Sequence, residues 1–260
     1  MPEDNNLLKK MEEQLSAEIA GFLRDAGRLA DGRNEKLYLV GGAVRDLLLG
    51  NTNLDIDLVV EGDAIALAGE LFDVDAGKIT VHRQFNTGKF DWHGWSIDIA
   101  SARKESYAHP GALPTVKPGS LDDDLHRRDF TINAMAISLS PGSYGRLIDP
   151  YSGQKDIEDK KIRILHQKSF IDDSTRIWRG LRYEQRLDFR LEPETLRLLK
   201  WDIPMVDTVS GDRIRYELEC IFKEELPEKV LRRADELGIL KKISPSLKGD
   251  GWPAKKLQYA

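Results

Sequence analysis

The pattern that most constrains the fold of this chain is a glycine pair and a short helix between two short apolar strands. Lys36–Val40 predicts a strand that the glycines Gly41 and Gly42 interrupt. Ala43–Leu49 then predicts a short helix, and Asp55–Val60 predicts a second strand. A strand, helix and strand within 25 residues indicate a sheet that packs against helices.

Elements of both kinds surround this pattern. The amphipathic run Leu7–Leu29 predicts one long helix before it. Strands are predicted around Lys78–His82 and Lys89–Asp91, and more clearly at Trp95–Ala100. The segment Ala108–Ser120 is rich in proline and glycine, so we predict a mobile loop there.

The pattern changes after the predicted turn Asp149–Gly153, because the later elements are all helical: Phe170–Leu187, Pro193–Lys200, Gly211–Phe222 and Pro227–Leu237. We therefore predict an α+β fold. Residues 1–148 form a head with a mixed β-sheet flanked by helices, and residues 149–246 form an all-helical neck. Residues 247–260 are interpreted as a linker to a further C-terminal part.

Composition excludes several classes of protein. Cys220 is the only cysteine and the five histidines are scattered, so neither an internal disulfide nor a zinc site is expected. No signal peptide and no apolar run of membrane-spanning length is found, which predicts a cytoplasmic protein without membrane contact. The net charge of −5 argues against a nonspecific nucleic-acid coat, although Lys160–Lys200 carries an excess of basic residues suited to phosphates.

Asp55 and Asp57 are the first candidate site residues. Residues two apart on a strand share a face, so both carboxylates project together while Ile56 faces the core. Paired carboxylates are ligands that Mg²⁺ prefers, and two bridged ions activate a hydroxyl and stabilise a leaving pyrophosphate. The alternative is an exposed strand whose polar face happens to be acidic.

Other residues extend this hypothesis. Gly42 begins a predicted helix whose N-terminal amides favour phosphate, and Arg45 lies one turn further on. A plain tight turn is the alternative for the glycines. Asp98 alternates with Ile97 and Ile99 on a strand, where it either assists the carboxylates, as base or metal ligand, or faces solvent.

The ordered motifs resemble one family. Leu39–Asp46 followed by Asp55-Ile56-Asp57 resembles the first motif of class II tRNA nucleotidyltransferases and bacterial poly(A) polymerases. Arg127–Ala136 resembles the second motif, and Asp149–Asp156 the third, a hinge between head and neck. The fourth, usually Glu-Asp-x-x-Arg, is Asp172-Asp173-Ser174-Thr175-Arg176 here, a conservative departure at its first position.

The resemblance implies a head similar to the polymerase β type of nucleotidyltransferase domain. It implies Mg²⁺-dependent addition of CMP and/or AMP, from CTP or ATP, to the 3′ end of tRNA or another RNA, with release of pyrophosphate. By the same resemblance, Arg128 contacts the nucleotide's phosphates and Asp129 its ribose. Asp173 and Arg176 correspond to the two most important positions of the fourth motif, and Arg179 and Arg182 match further arginines.

The fourth motif also has a physical rationale. Asp173, Arg176, Arg179 and Arg182 are three residues apart and are predicted to form one stripe on a helix. A carboxylate accepts from the exocyclic amine of cytosine or adenine, and an arginine donates to the adjacent ring nitrogen. Uracil and guanine would leave both groups unpaired, at about 1–3 kcal/mol each. The alternative is an ordinary surface Asp–Arg pair.

Three other functions remain open from the sequence. A poly(A) polymerase, or an enzyme restricted to CC or to A addition, would share every motif. A truncated homologue would act mainly as an RNA-binding module. A nucleotidyltransferase with a small hydroxylated acceptor would need the carboxylates but not the arginine stripe. No protein partner is predicted.

Overall fold

A computed structural model describes residues 6–51, 55–72 and 78–249. The chain divides into two compact units. One contains the described residues up to Glu105 together with Val116–Ile157, and the other contains Ser106–Thr115 and the described residues from Glu158 onward. The predicted linker beyond Gly249 lies outside the described residues.

The strands, in chain order, are β1 (Lys36–Val40), β2 (Asp55–Glu61), β3 (Thr80–His82), β4 (Thr87–Trp92), β5 (Trp95–Ser101), β6 (Arg103–Ser106), β7 (Thr115–Pro118), β8 (Ala136–Ser138), β9 (Leu147–Ile148), β10 (Lys161–Ile162) and β11 (Arg190–Leu191). Seven of them form one sheet in the order β3-β4-β5-β2-β1-β8-β9. β2 and β5 are parallel, whereas the other neighbours in this sheet are antiparallel. The sheet is therefore mixed.

The α-helices, in chain order, are α1 (Leu8–Gln14), α2 (Ala17–Gly32), α3 (Gly42–Leu49), α4 (Ala64–Leu71), α5 (Leu121–His126), α6 (Gly153–Glu158), α7 (Ser169–Asp172), α8 (Thr175–Arg186), α9 (Pro193–Asp202), α10 (Gly211–Phe222) and α11 (Pro227–Glu236). In the first unit, α2 packs on β1 and α4 packs on β4 and β5. The predicted α+β class, with a mixed sheet flanked by helices, is confirmed.

Both faces of the central strands carry apolar side chains. Ile56 pairs in register with Ile97, and both are buried. On the opposite face of β2, Val59 joins a buried cluster with Leu121 and Leu125 of α5. Asp57 shares the face of Val59 because it lies two residues earlier on the strand. The apolar pattern thus aligns the strands and leaves the aspartates at the beginning of β2.

Two segments that were each predicted to form one helix form two helices instead. In both cases, a side chain near the break accepts a hydrogen bond from a backbone amide at the beginning of the second helix. Leu15 is extended, and the Ser16 hydroxyl accepts from the Ile19 N–H at 3.3 Å, so α2 begins as a new helix. Asp173 is extended as well and ends α7. Its carboxylate accepts from the Thr175 N–H at 3.0 Å, at the beginning of α8.

Smaller differences concern the loop and the second unit. The segment predicted as a loop, Ala108–Ser120, contains the strand β7. The described residues of the second unit from Glu158 onward contain helices and one short parallel strand pair, β10-β11. Its helix α8, which includes the buried Trp178, packs against α10 and α11. The two compact units divide between Ile157 and Glu158, and the boundary of head and neck at residue 148 stays a prediction. No helix among the described residues is long and apolar enough to cross a membrane.

Gly27 tests the packing of α2 on the sheet. A Cβ at Gly27 would overlap the backbone carbonyl of Leu139, whereas a Cβ at Gly21 on the same helix would meet nothing within 4 Å. We expect Gly27→Ala to destabilise the protein by about 1–3 kcal/mol through overpacking. Gly21→Ala should stabilise it by about 0.5–1 kcal/mol. Urea unfolding of both variants measures the difference, and equal effects would contradict this account.

Candidate active site

Three strands of the first unit bring ionisable side chains into one row. The register pairs Asp57 of β2 with Asp98 of β5, and Asp98 with Lys89 of β4. Asp55 lies on the same face of β2 as Asp57, two residues earlier. The prediction for Asp98 depended on β5 being a neighbour of β2 in the sheet. The two strands are indeed neighbours.

The row carries more negative than positive charge. Burial raises the pKa of Asp57, Arg128 opposes that shift, and the carboxylates of Asp98 and Asp55 add to it. The Lys89 ammonium donates to Asp98 Oδ2 at 2.6 Å, and this hydrogen bond is the main reason that the pKa of Lys89 is raised. Three carboxylates therefore share a surface where an added cation would be stabilised.

The donor set fits Mg²⁺ in its chemistry, because these candidate ligands are all carboxylate oxygens. Asp55 and Asp57 would hold the ion, and Lys89 occupies one oxygen of Asp98. Within residues 6–51, 55–72 and 78–249, no group of three or more His, Cys, Asp or Glu side chains is arranged so that it could hold a metal ion. An incomplete protein shell is the usual case for Mg²⁺, which retains water and binds substrate phosphates.

Gly41 brings the glycine pair next to the carboxylates. It adopts the left-handed φ of 69° just before α3. A Cβ there would lie 2.6 Å from Arg128 Nη1 and 3.8 Å from Asp57 Oδ2. Only glycine combines this conformation with this close approach, and the guanidinium of Arg128 thus lies near Asp57.

Arg128 is held in place by a residue that the sequence analysis missed. Its Nη2 donates to Asp124 Oδ2 at 2.9 Å, and Arg127 Nη2 donates to Asp124 Oδ1 at 2.6 Å. Burial raises the pKa of Asp124, but the two arginines outweigh it, so the net shift is downward. The spacings i, i+3 and i, i+4 from Asp124 were the available sequence signal.

Arg45 and Asp129 belong to one buried network. Arg45 Nη1 donates to Asn133 Oδ1 at 2.6 Å, and its Nε and Nη2 donate to Asp46. Asn133 Nδ2 in turn donates to Asp129 Oδ1 at 3.0 Å. Asn133, missed by the sequence analysis, thus links both predicted nucleotide-binding residues. Their contacts with phosphate and ribose, like that of Gly42 at the beginning of α3, stay predictions.

The second unit contains the four residues of the predicted stripe. The prediction that all four lie on one helix is wrong for one of them. α8 begins at Thr175, so Asp173 precedes the helix instead of lying on it. The cause is the Asp173 carboxylate itself, which accepts from the Thr175 amide and hydroxyl at 3.0 and 2.7 Å. Arg176 is buried on α8, where its Nη1 donates to Ser169 Oγ at 2.7 Å.

Arg179 and Arg182 lie further along α8. Both guanidinium groups lie over the ring of Tyr183, at 5.8 and 5.5 Å from its centre. Both also lie within 4.0 Å of the buried Glu217 of α10. These contacts hold the side chains of the two arginines of α8 against α10, which is compatible with the supporting role predicted for them.

Comparison with known proteins shows the family. The Poly A polymerase head domain matches residues 37–163, and the probable RNA and SrmB-binding site of polymerase A matches residues 188–250. The A-adding tRNA nucleotidyltransferase of Halalkalibacterium halodurans is 42% identical over 242 residues, covering 90% of this chain and 56% of that protein. The chain belongs to the tRNA nucleotidyltransferase and poly(A) polymerase family. The predicted family membership is confirmed.

Two further relatives are also similar to the chain. The CC-adding tRNA nucleotidyltransferase of Deinococcus radiodurans is 36% identical, covering 86% of this chain and 60% of that protein. A Thermotoga maritima CCA-adding enzyme complexed with tRNA is 42% identical with a TM-score of 0.81, covering 93% of this chain and 56% of that one. The chain thus spans little more than half the length of these relatives.

The raised pKa of Asp57 predicts a pH-dependent gain in stability for Asp57→Asn. The folded state holds this proton more tightly than the unfolded state, so ionised Asp57 lowers stability as pH rises above about 4. In metal-free buffer at pH 8, we expect Asp57→Asn to melt at a higher temperature than the unsubstituted protein, because the raised pKa of Asp57 makes its ionised form unfavourable in the folded state. The difference should shrink towards pH 4.

Thermal unfolding between pH 4 and pH 8 measures this effect. Asp91→Asn is the control, because Asp91 is an exposed carboxylate on β4, and we expect its melting temperature to change by less than about 1 °C. A pH-independent gain in Asp57→Asn would contradict the assigned cause.

Gly41→Ala tests the close approach before α3. We expect a loss of about 1–3 kcal/mol from a positive-φ backbone conformation that favours glycine, together with displacement of Arg128. Gly42→Ala is the matched control for stability, since its Cβ would meet Arg45 Nη2 at an ordinary 3.5 Å. Denaturant unfolding compares the stabilities of the two variants. A Gly41→Ala variant as stable as the unsubstituted protein would contradict the requirement for glycine at this position.

Proposed function

We propose that this chain contains the catalytic head and the neck of an RNA nucleotidyltransferase that works without a nucleic-acid template. It adds CMP and/or AMP, from CTP or ATP, to the 3′ end of tRNA and releases pyrophosphate. The observation that carries the proposal is the row Asp55, Asp57 and Asp98 beside Gly41 and Arg128. The relatives named as A-adding and CC-adding tRNA nucleotidyltransferases support the choice of tRNA.

In the proposed reaction, the 3′ hydroxyl oxygen of the RNA attacks the α-phosphorus, and the bond from that phosphorus to the pyrophosphate oxygen breaks. Asp55 and Asp57 would hold two Mg²⁺ ions, which would supply activation of the hydroxyl and charge stabilisation of the pyrophosphate. Asp98 has one carboxylate oxygen that Lys89 does not occupy, and it assists as base or additional ligand.

Basic residues of the head hold the nucleotide. Arg128, fixed by Asp124, and Arg45, fixed by Asn133 and Asp46, offer preoriented guanidinium groups to the triphosphate. The amides at Gly42 add the N-terminus of α3. Asp129 lies in the same network and orients the sugar.

Asp173 and Arg176 of the neck select the nucleobase, with Arg179 and Arg182 in support. Asp173 accepts from the amine of cytosine or adenine, and Arg176 donates to the ring nitrogen beside it. UTP and GTP are rejected because they would leave both side chains unpaired. We place the activity in the cytoplasm, where the tRNA substrate is matured.

A poly(A) polymerase is the second candidate, because the head matches the Poly A polymerase head domain. It differs in its product, since it extends a 3′ end with AMP repeatedly and does not depend on the terminal CCA positions. Addition of CC alone or A alone is a narrower form of the first proposal, as in the Deinococcus radiodurans and Halalkalibacterium halodurans relatives.

The test offers tRNAs that end before each of the three terminal positions, with each labelled nucleoside triphosphate and Mg²⁺. We expect CMP, AMP or both to be added to a defined length, with little UMP or GMP. Asp55→Ala and Asp57→Ala should each lower the rate by about 10³-fold or more, because several kcal/mol of metal-dependent stabilisation is lost.

The other outcomes identify the alternatives. Long AMP tails on unrelated RNA would indicate a poly(A) polymerase. RNA binding without incorporation would indicate a binding module, and transfer only to small hydroxylated acceptors would exclude RNA as substrate. Incorporation of GMP and UMP as efficient as that of CMP would overturn base selection by Asp173 and Arg176.

A further inference from the structure

We propose that Lys89 is an acceptor-binding residue, which holds the phosphate on the 5′ side of the terminal nucleotide of the RNA. This inference rests on the proposed function and adds to it a contact with the backbone of the RNA. Lys89 lies on β4, beside the candidate active site, and it belongs to none of the motifs identified in the sequence.

Lys89 lies on the side of the carboxylates that faces away from the glycine pair. In the sheet, β1 and β4 flank the parallel pair β2-β5 on opposite sides. Gly41 directly follows β1, and its close approach to Arg128 puts the groups proposed to hold the triphosphate on that side. Lys89 is in register with Asp98 of β5 and therefore lies on the other side. The carboxylates thus separate the Lys89 ammonium from the proposed triphosphate-binding groups.

The direction of the proposed reaction determines which phosphate lies near Lys89. In phosphoryl transfer, the attacking and leaving oxygens lie roughly in line, on opposite sides of the phosphorus. The pyrophosphate leaves on the side of Arg128 and α3, so the 3′ hydroxyl approaches from the side of β5 and β4. The RNA phosphate nearest to this hydroxyl is the one on the 5′ side of the same nucleotide. That phosphate is the anion that a cation beside Asp98 would meet.

The Lys89 ammonium retains donors for a phosphate. Nζ has three N–H groups, and one of them donates to Asp98 Oδ2 at 2.6 Å. No second hydrogen bond of Nζ is found among the described residues. The side chains of Lys89 and Asp98 are 50% and 43% exposed, and a pair this exposed contributes only about 0–1 kcal/mol to stability. The pair alone therefore gives little reason for a lysine at this position.

The surface next to Lys89 is polar and exposed. Lys89 is in register with Thr80 of β3, the last strand of the sheet on this side. Thr80 and His82 share one face of β3, and both are exposed. On β4, Gly88 and Phe90 are buried on the opposite face from Lys89. Lys89 therefore projects from the exposed face of this edge of the sheet, where an RNA backbone is accessible to it.

The test removes the charge of each partner in turn. Lys89→Met removes the charge of the protein, and an uncharged methylphosphonate at the linkage before the terminal nucleotide removes that of the tRNA. We expect either change alone to raise KM for tRNA about tenfold, and both together to raise it no further. KM for CTP or ATP should change by less than about threefold. A methylphosphonate one linkage earlier should affect Lys89→Met and the unsubstituted protein equally.

Two other variants are the controls. Lys89→Arg retains the charge, so its KM for tRNA should stay within about threefold of that of the unsubstituted protein and should still rise with the methylphosphonate. Lys36→Met removes an exposed lysine from β1 of the same sheet, where its ammonium lies 3.9 Å from Glu61. We expect Lys36→Met to leave KM for tRNA and its response to the methylphosphonate unchanged. If Lys89→Met does not fold, Lys89→Gln carries the same test with the same expected result.

The outcomes distinguish this inference from the proposed function. If the terminal methylphosphonate raises KM as much in Lys89→Met as in the unsubstituted protein, the inference is overturned alone. A lower kcat in Lys89→Met with an unchanged KM for tRNA would show that Lys89 acts through Asp98, and it would also overturn the inference alone. If the unsubstituted protein adds no nucleotide to any tRNA, the proposed function fails and the inference fails with it.

Discussion

The parallel pairing of β2 with β5 places Asp57 beside Asp98 on a sheet whose neighbouring positions are apolar. Two like charges in register are unfavourable, and burial increases the penalty for Asp57. The structure offsets that penalty only in part, with Lys89 on one side and Arg128 on the other. A site whose own cations leave carboxylates under-compensated is suited to binding Mg²⁺, since the ion supplies the missing charge.

The guanidinium groups near the carboxylates are also held by neighbouring side chains. Arg128 is held by the buried Asp124, and Arg45 by Asn133 and Asp46, so both guanidinium groups are oriented before any ligand arrives. Fixed donors cost little reorganisation when a triphosphate binds, which is the physical advantage of preorganisation. In the second unit, Arg213 holds the carboxylate of Asp173 in a similar way. In each unit, the candidate residues thus depend on partners that lie only in part within the motifs identified in the sequence.

Sequence reasoning succeeded where local pattern is sufficient. The alternation around Asp55 and Asp57, and the glycine-led α3, follow from residue order and backbone preference. It failed where a side chain competes with the backbone. Ser16 divided a predicted helix by capping α2, and Asp173 ended α7. Periodicity does not register such competition, because apolar spacing continues across the break.

The sequence by itself determined the family, the carboxylate pair and the change from a mixed sheet to helices, because motif order and periodicity are local properties of the chain. Tertiary structure alone decided which distant side chains orient the candidate residues. Asn133 meets Arg45 from 88 positions away, and Arg213 meets Asp173 from 40 positions away. Such partners have no fixed spacing in sequence. Their pairing follows from how strands align and helices pack, which depends on burial across the whole unit.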